Sequence, residues 1–283
     1  MAPSTFITLA ELAAQRAAWG AEGARVALVP TMGALHLGHL SLVRMARQIA
    51  DRVVVSIFVN PTQFGPNEDF AKYPRTLVAD LELLASLQVE AVFLPNAATM
   101  YPDGFQTFVH NQGMALTLDG QSRPGHFQGV LTVVMKLLNL VRPDVAIFGK
   151  KDYQQWRLIE KMVADLCLPY RIAAGETLRE VDGLAMSSRN RFLGDQERTH
   201  ATAIYRGLAA AKAAYKSGER DAQKLTSACR KIIEISPAVK IDYVELRSAA
   251  TLAPLSGQVT EPCVLLVAAK LGTTRLIDNM EME

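Results

Sequence analysis

Short apolar runs alternate with amphipathic segments over the first 175 residues or so, and this alternation predicts strands that alternate with helices. Helices of this length between strands favour right-handed crossovers and a parallel sheet. The Val53–Val59 run is rich in β-branched residues, as is typical of a strand buried on both faces. The predicted strands are Val26–Val29, Val53–Val59, Ala91–Leu94, Asp144–Phe148 and Tyr170–Ala173, and the predicted helices are Leu9–Trp19, Leu40 to about Ala50, Pro74–Leu87, His126–Val141 and Tyr153–Leu166.

The pattern changes after about residue 176, where two long helical segments precede three strand-like segments. We therefore predict a Rossmann-like parallel sheet with helices on both faces over residues 1–176. A smaller C-terminal α+β domain is predicted over 177–283, as a candidate lid that carries a phosphate-binding loop. The polar segments 60–74 and 101–125 are too long for plain connectors, which indicates functional loops.

Composition narrows the class of protein. The chain has 283 residues, of which 49% are hydrophobic, so it can bury a sizeable core. A formal net charge of only +2 gives no reason to expect a nucleic-acid or membrane surface. The three cysteines are scattered, and no apolar leader or membrane-spanning stretch is evident. We therefore expect a cytoplasmic protein.

The most informative segment is residues 25–40, where an apolar strand leads into His36-Leu-Gly38-His39 and a helix. A helix N-terminus carries unsatisfied N–H groups and a positive dipole end, which suit phosphate. The two histidines add ring donors at this place, and Gly38 lets a ligand approach the backbone closely. The segment therefore predicts a nucleoside-triphosphate site.

Two other interpretations of this histidine pair stay open on the segment alone. Two histidines three residues apart can form part of a zinc site. They can also be capping or surface side chains without a role in chemistry.

Two more segments follow predicted strands, where a parallel sheet places ligands. Asn60 and Gln63 come after the Val53–Val59 strand and can bind a small polar ligand, although Asn-Pro also forms simple turns. Gly149-Lys150-Lys151-Asp152 follows the Asp144–Phe148 strand. A lysine there can neutralise phosphate charge and Asp152 can hold Mg²⁺, or Asp152 can simply cap the next helix.

Arginine and hydroxyl side chains mark two further segments. Arg123 and His126 enter a predicted helix as a candidate carboxylate or phosphate site, with a structural turn as the alternative. Met186-Ser187-Ser188-Arg189 lies near the proposed domain junction and has the composition of a phosphate-binding loop. It resembles the Lys-Met-Ser-Lys-Ser signature of class I aminoacyl-tRNA synthetases.

Together these motifs resemble the nucleotidyltransferase superfamily and, within it, the pantothenate synthetase (pantoate–β-alanine ligase) family. The resemblance covers nearly the whole chain. The matching segments are Pro30–His39, Val59–Phe64, Tyr73–Thr76, Ser122–Phe127, Gly149–Asp152, Ser187–Asn190 and Arg275–Asn279.

The resemblance implies that ATP and Mg²⁺ drive the ligation of pantoate and β-alanine through a pantoyl adenylate, with release of pyrophosphate and AMP. It implies catalytic roles for His39, His36 and Lys151, with His39 as the nominal proton donor. It also implies a homodimer. The ATP-binding residues it implies are Met32, Gly33, Ala34, Leu35, His36, Leu37, Gly38, His39, Gly149, Lys150, Lys151, Asp152, Leu178, Met186, Ser187, Ser188 and Arg189. The substrate-binding residues for pantoate and β-alanine are Gln63, Gln155, Asn60, Arg123 and His126, and the metal ligand is Asp152.

Two positions depart from the family pattern. Lys150 stands where Glu or Gln is usual, and we expect it to point to solvent rather than to phosphate. Asp119 stands where many relatives have Glu. The alternative functions are another adenylyl- or cytidylyltransferase of the superfamily, acting on a small carboxylate or phosphate, and a non-catalytic nucleotide-sensing module.

Overall fold

The computed structural model describes residues 2–66 and 68–282, which fold as two compact units. The first unit contains the residues up to Lys150 together with Leu158–Glu176. The second contains Lys151–Arg157 together with the residues from Thr177 onward. The predicted division into domains 1–176 and 177–283 stays a prediction, and the segment 151–157 groups with the second unit.

A parallel sheet forms the centre of the first unit. Within the described residues its six strands are β1 (Ser4–Phe6), β2 (Val26–Thr31), β3 (Arg52–Ile57), β4 (Ala91–Phe93), β5 (Val145–Gly149) and β6 (Arg171–Gly175). They lie in the order β1-β4-β3-β2-β5-β6, and every pair is parallel. The predicted Rossmann-like sheet is therefore confirmed.

Helices flank this sheet, which explains why its central strands β2 and β3 are apolar over most of their length. They are α1 (Leu9–Ala21), α2 (Leu37–Ile49), α3 (Leu77–Ser86), α4 (Ala97–Met100), α5 (Asp119–Ser122), α6 (His126–Val141) and α7 (Tyr153–Asp165). In the central strands Leu28 lies opposite Val54, and both side chains are fully buried. The Phe93 side chain of β4 is also fully buried.

The strand order reverses between β2 and β5. From β2 the chain builds β3 and β4 on one side, and then returns to add β5 and β6 on the other. Ligands of such sheets bind beyond the carboxyl ends of the strands at this switch point. β2 ends at Thr31, directly before Met32, and β5 ends at Gly149, directly before Lys150.

The second unit is an antiparallel sheet covered by two long helices. Its strands are β7 (Val239–Ser248), β8 (Cys263–Leu271) and β9 (Thr274–Met282), in that order, and its helices are α8 (Asp195–Lys216) and α9 (Ala222–Glu234). Ile204, Leu208 and Leu225 of the helices pack in one core with Leu265 and Val267 of β8. The predicted small α+β fold of this region is confirmed.

Several element boundaries differ from the predictions. Helix α2 begins at Leu37 rather than Leu40, because His36 caps it. Pro74 lies outside helix α3, which begins after Thr76. Strand β1 is absent from the prediction, because its three residues carry too short a pattern to be recognised. Among the described helices, none is both long and apolar enough to cross a membrane.

Candidate active site

The two histidines of the first unit cap helix α2 reciprocally. His36 is the N-cap, and its Nδ1 accepts the backbone N–H of Gly38 at 3.2 Å. Nδ1 of His39 accepts the backbone N–H of His36 at 3.3 Å. A neutral imidazole has one donor and one acceptor nitrogen, so both rings carry their hydrogen on Nε2. Their capping role is therefore real, and it also fixes two Nε2–H donors at a helix N-terminus.

A buried carboxylate holds the turn that precedes this helix. Asp80 of α3 accepts the backbone N–H of Ala34 at 3.0 Å and of Leu35 at 2.8 Å. Thr76 donates its hydroxyl to the same carboxylate at 3.1 Å. Gly33 and Ala34 both adopt positive φ, at 81° and 51°, so the chain reverses sharply here. Asp80 therefore fixes the path of the chain from β2 to His36.

Asn60 and Gln63 form a buried polar network after strand β3. The Asn60 side-chain amide donates to Gln63 Oε1 at 3.0 Å and to the Gly129 carbonyl at 3.2 Å. Gln63 in turn contacts Met32 Sδ through its Nε2 at 3.1 Å. Tyr101 donates to Asn60 Oδ1 at 2.8 Å, and burial raises the pKa of Tyr101, which keeps its hydroxyl protonated. The amide orientations in this network are therefore fixed from several sides.

Helix α6 can approach this network only because residue 129 is glycine. A Cβ at Gly129 would lie 2.3 Å from the Thr62 carbonyl oxygen and 2.7 Å from the Gln63 Cα. Any side chain there would push the Pro61–Gln63 turn away from the helix.

Arg123 and His126 are engaged within the chain. Arg123 pairs with both carboxylate oxygens of Glu68 at 2.6 Å. His126 accepts from Arg123 Nη1 through Nε2 at 2.9 Å and donates from Nδ1 to the Gln63 carbonyl at 2.8 Å. These two side chains therefore support the backbone of Gln63, and their predicted contact with substrate stays a prediction.

The electrostatics of this cluster follow from its burial. Burial, with the neighbouring Arg123 charge, lowers the pKa of His126 to about 4. Burial would raise the pKa of Glu68, but the hydrogen bond and charge of Arg123 lower it overall. Asp119, which starts helix α5, is buried and adds a further negative charge acting on His126. The histidine is therefore neutral at pH 7, between an ion pair and a carbonyl.

Lys150 pairs with Glu176, whose side chain is 81% exposed, and its predicted orientation to solvent stays a prediction. Its Nζ lies 2.7 Å from Glu176 Oε1, and its side chain is 19% exposed. Gly149, which ends strand β5, is only half-buried. Lys150 is therefore a paired cation.

Lys151, Asp152 and Gln155 lie in the part of the chain that groups with the second unit. Lys151 Nζ is 3.8 Å from Asp152 Oδ1, and the Asp152 side chain is 48% exposed. Gln155 is half-buried in the first turn of helix α7. A cluster of three or more His, Cys, Asp or Glu side chains able to hold a metal ion is not found among the described residues.

The segment predicted as a phosphate-binding loop starts a short helix. Ser188–Phe192 is a 3₁₀ helix, and the Ser187 hydroxyl caps it by accepting the Arg189 N–H at 3.3 Å. Ser188 is buried, whereas Met186 and Arg189 are half-buried. Leu178 is exposed and pairs through its carbonyl with the Met186 N–H at 3.0 Å. These residues therefore lie at one end of a hairpin in the second unit.

Within the predicted site, side-chain contacts join Met32, Asn60, Gln63, Arg123 and His126. The residues that support the site are not predicted from the sequence. Asp80, Glu68 and Tyr101 are absent from the predicted site. The signal for Asp80 is an acidic residue between Leu77 and Leu84, on the apolar side of an amphipathic helix. Glu68 and Tyr101 lie in polar segments without periodicity, which offer no such signal.

Comparison with known proteins gives consistent matches. The Pantoate-beta-alanine ligase family model matches residues 4–281. Pantothenate synthetase of Geobacter sulfurreducens is 52% identical over 257 residues, which are 91% of this chain and 90% of that protein. The crystal structure of pantothenate synthetase from Thermus thermophilus matches with a TM-score of 0.93 and 43% identity over 99% of both chains.

A further solved structure was determined with ligands. Pantoate-beta-alanine ligase from Francisella tularensis, complexed with β-γ ATP and β-alanine, matches with a TM-score of 0.81 and 34% identity. The match covers 99% of this chain and 98% of that one.

The lowered pKa of His126 predicts a pH-dependent stability. Between pH 6.5 and about 4, the unfolded chain binds a proton at His126 that the folded chain does not. The free energy of unfolding therefore falls as the pH is lowered through this window, by up to about 1.4 kcal/mol per pH unit. Urea denaturation at several pH values measures this slope.

Two variants isolate the contribution of His126. His126→Gln should have a smaller slope than wild type between pH 6.5 and 4, whatever its absolute stability. His110→Gln is the matched control, since His110 is exposed, and it should keep the wild-type slope. An unchanged slope in His126→Gln would show that this ring is not held neutral.

Proposed function

The chain belongs to the pantoate-beta-alanine ligase family, and we propose that His36 and His39 are the centre of its ATP chemistry. The protein is an ATP-dependent ligase that joins pantoate to β-alanine. The observation that carries the proposal is the pair of capping bonds accepted by Nδ1 of His36 and His39. Because Nδ1 accepts in both rings, Nε2 carries the hydrogen, and two ring donors lie at the helix N-terminus.

We propose a reaction in two steps. The pantoate carboxylate attacks the α-phosphorus of ATP, the bond to the bridging oxygen breaks, and pyrophosphate leaves. The β-alanine amine then attacks the acyl carbon of the adenylate, AMP leaves with the acyl oxygen's electron pair, and the amine loses a proton. Neither step needs a protein nucleophile, so positioning and charge neutralisation carry the catalysis.

In the first unit we assign the nucleotide to the turn Met32–His39 and pantoate to Gln63, with Asn60 holding the Gln63 amide. The fixed amide dipoles suit a small ligand with hydroxyl and carboxylate groups. His39 is the proposed proton donor, and Nε2 is the atom that would donate.

In the second unit we assign phosphate to Lys151, Ser187, Ser188 and Arg189, and pantoate to Gln155. Asp152 fits Mg²⁺ as a half-exposed carboxylate, because this ion is usually held by one or two carboxylates together with substrate phosphates. When bound, Mg²⁺ would neutralise phosphate charge.

Three broader assignments are also proposals. We propose a homodimer, on the family resemblance, and a cytoplasmic location, which the three unpaired cysteines support. A lid role for the domain that begins at Thr177 is proposed as well. A superfamily member that stops after nucleotidyl transfer, or one that only senses nucleotide, would fail to make an amide from ATP, pantoate and β-alanine.

The order of the two steps is testable by isotope exchange. With pantoate but no β-alanine, the protein should exchange labelled pyrophosphate into ATP, because the adenylate forms before the amine is needed. Pantothenate and AMP should appear, by mass spectrometry, when β-alanine is added. Exchange that requires β-alanine would point to a concerted reaction instead.

Replacing either histidine by asparagine separates capping from catalysis. Asparagine is a good N-cap, so His36→Asn keeps an acceptor for the Gly38 N–H but lacks the Nε2–H donor. We expect little change in melting temperature and an adenylation rate lower by roughly 10²–10³, as for a lost oxyanion donor. His39 is the third residue of the helix rather than its N-cap, and His39→Asn should lower the adenylation rate to a similar extent, with the exposed His110→Asn as control. Wild-type rates in both variants would leave capping as their role.

The adjacent lysines allow a matched comparison. Lys151→Ala should nearly abolish turnover, since we assign this ammonium to phosphate. Lys150→Ala should raise the KM for ATP less than about threefold, because Lys150 is paired with Glu176 and such partly exposed pairs contribute little. Steady-state kinetics with varied ATP concentration measure turnover and KM for both variants. A larger loss in Lys150→Ala than in Lys151→Ala would mean that the roles of the two lysines are assigned wrongly.

A further inference from the structure

The Arg275–Asn279 motif lies on strand β9, and the proposed function gives it no task. Asp278 and Asn279 are both buried, at 4% and 6% exposure. A carboxylate and an amide are rarely placed in a protein core without partners, because each unmet hydrogen bond there is costly. Their partners lie in the second unit.

Arg179 binds Asp278 through two parallel hydrogen bonds. Its Nη1 lies 2.6 Å from Asp278 Oδ2, and its Nη2 lies 3.0 Å from Oδ1. The same guanidinium donates to the carbonyls of Gly183, at 3.1 Å, and Asn279, at 3.2 Å. These four hydrogen bonds fix the orientation of the planar Arg179 guanidinium. Arg179 thereby ties β9 to the hairpin that leads into Met186–Arg189.

Asn279 carries the connection on to Lys151. Its Nδ2 donates to the Lys151 carbonyl at 2.9 Å, and its own N–H donates to Asp278 Oδ1 at 2.8 Å. The Lys151 ammonium is also near enough to act on the pKa of Asp278, which burial raises and Arg179 and Lys151 lower. Arg179 and Asp278 therefore hold the backbone of Asn279 at its carbonyl and N–H, and its side-chain amide donates from there to the Lys151 carbonyl.

Other contacts hold the residues that follow Lys151. The Tyr153 hydroxyl lies 3.1 Å from Glu281 Oε1 and 3.2 Å from the Ala249 carbonyl. Arg157 donates twice to the Ala250 carbonyl, at 2.7 and 3.1 Å. The whole segment 151–157 is therefore anchored on the C-terminal sheet, and Asn279 supplies the anchor at Lys151 itself.

We propose that Asn279 is a positioning residue for Lys151: oriented by the Arg179–Asp278 pair, it fixes the backbone from which the Lys151 ammonium reaches phosphate. This inference rests on the proposed role of Lys151. A lysine side chain is long and flexible, so its ammonium is delivered accurately only if its backbone is held. A displacement of about 1 Å at such a group can cost 10²-fold in rate.

The test measures pyrophosphate exchange by Asn279→Ala and Asn279→Asp. Alanine removes the amide, and aspartate keeps its shape but replaces the donor with an acceptor. We expect kcat/KM for ATP to fall about tenfold or more in both variants. This loss lies between the rate effect of losing one hydrogen bond and the roughly 10²-fold effect of a 1 Å displacement. The KM for pantoate should change less than about twofold, because the segment around Gln155 keeps its Tyr153 and Arg157 anchors in both variants.

Arg275→Gln is the control on the same strand. Arg275 pairs with Asp242 at 2.8 Å near the surface, and its variant should keep wild-type kcat/KM for ATP. The melting temperature of each variant is measured alongside, because a lost hydrogen bond in a chain of this size should lower it by only about 2–4 °C.

Lys151→Ala distinguishes a failure of the proposed role of Lys151 from a failure of the positioning role of Asn279. If Lys151→Ala retains wild-type turnover, the proposed role of Lys151 fails and the positioning role of Asn279 falls with it. If Lys151→Ala is inactive but both Asn279 variants keep wild-type kcat/KM for ATP per folded molecule, Asn279 is only a structural residue. Equal losses for ATP and pantoate, in proportion to a lowered folded fraction, would overturn the proposal in the same way.

Discussion

The carboxylate of Asp80 is the contact on which the histidine pair depends. It accepts the N–H groups of Ala34 and Leu35, which are buried and would each cost about 1–3 kcal/mol without an acceptor. Ala34 is also held at positive φ, which a non-glycine residue tolerates only when its surroundings impose it. Without Asp80 the turn would relax, and His36 would leave the N-cap position that sets the tautomer of its ring.

Hydrogen bonds to the backbone determine which ring nitrogen carries the hydrogen in the imidazoles of the first unit. His36 and His39 accept N–H groups at Nδ1 and so carry hydrogen on Nε2. His126 donates from Nδ1 to a carbonyl and accepts at Nε2, which is the opposite tautomer. The first two rings are thereby suited to donate to a ligand, and the third to support the chain at Gln63.

The sequence predicts the fold class well because period-2 and period-3.6 patterns are local and repeat over many residues. The predicted start of α2 is wrong by three residues, since a histidine N-cap is unusual and Leu40 is the first buried position of that helix. The pairing of Lys150 with Glu176 could not be predicted, because the two residues meet only once β5 and β6 are adjacent. The sequence marks Asn279 as part of a motif, but its task depends on a contact with a residue 128 positions earlier.

The separation of 128 positions between Lys151 and Asn279 delays the contact between them during synthesis of the chain. On a ribosome adding 5–20 residues per second, the anchor for Lys151 emerges roughly 6–26 s after Lys151 itself. The strands of the first sheet, β1 to β6, have all been synthesised by residue 175, so that sheet can form during translation. The segment 151–157 gains its Asn279 anchor only when β9, the last of the described strands, has been made. A nascent chain that stalls before residue 279 would therefore carry a nearly complete parallel sheet but an unanchored lysine.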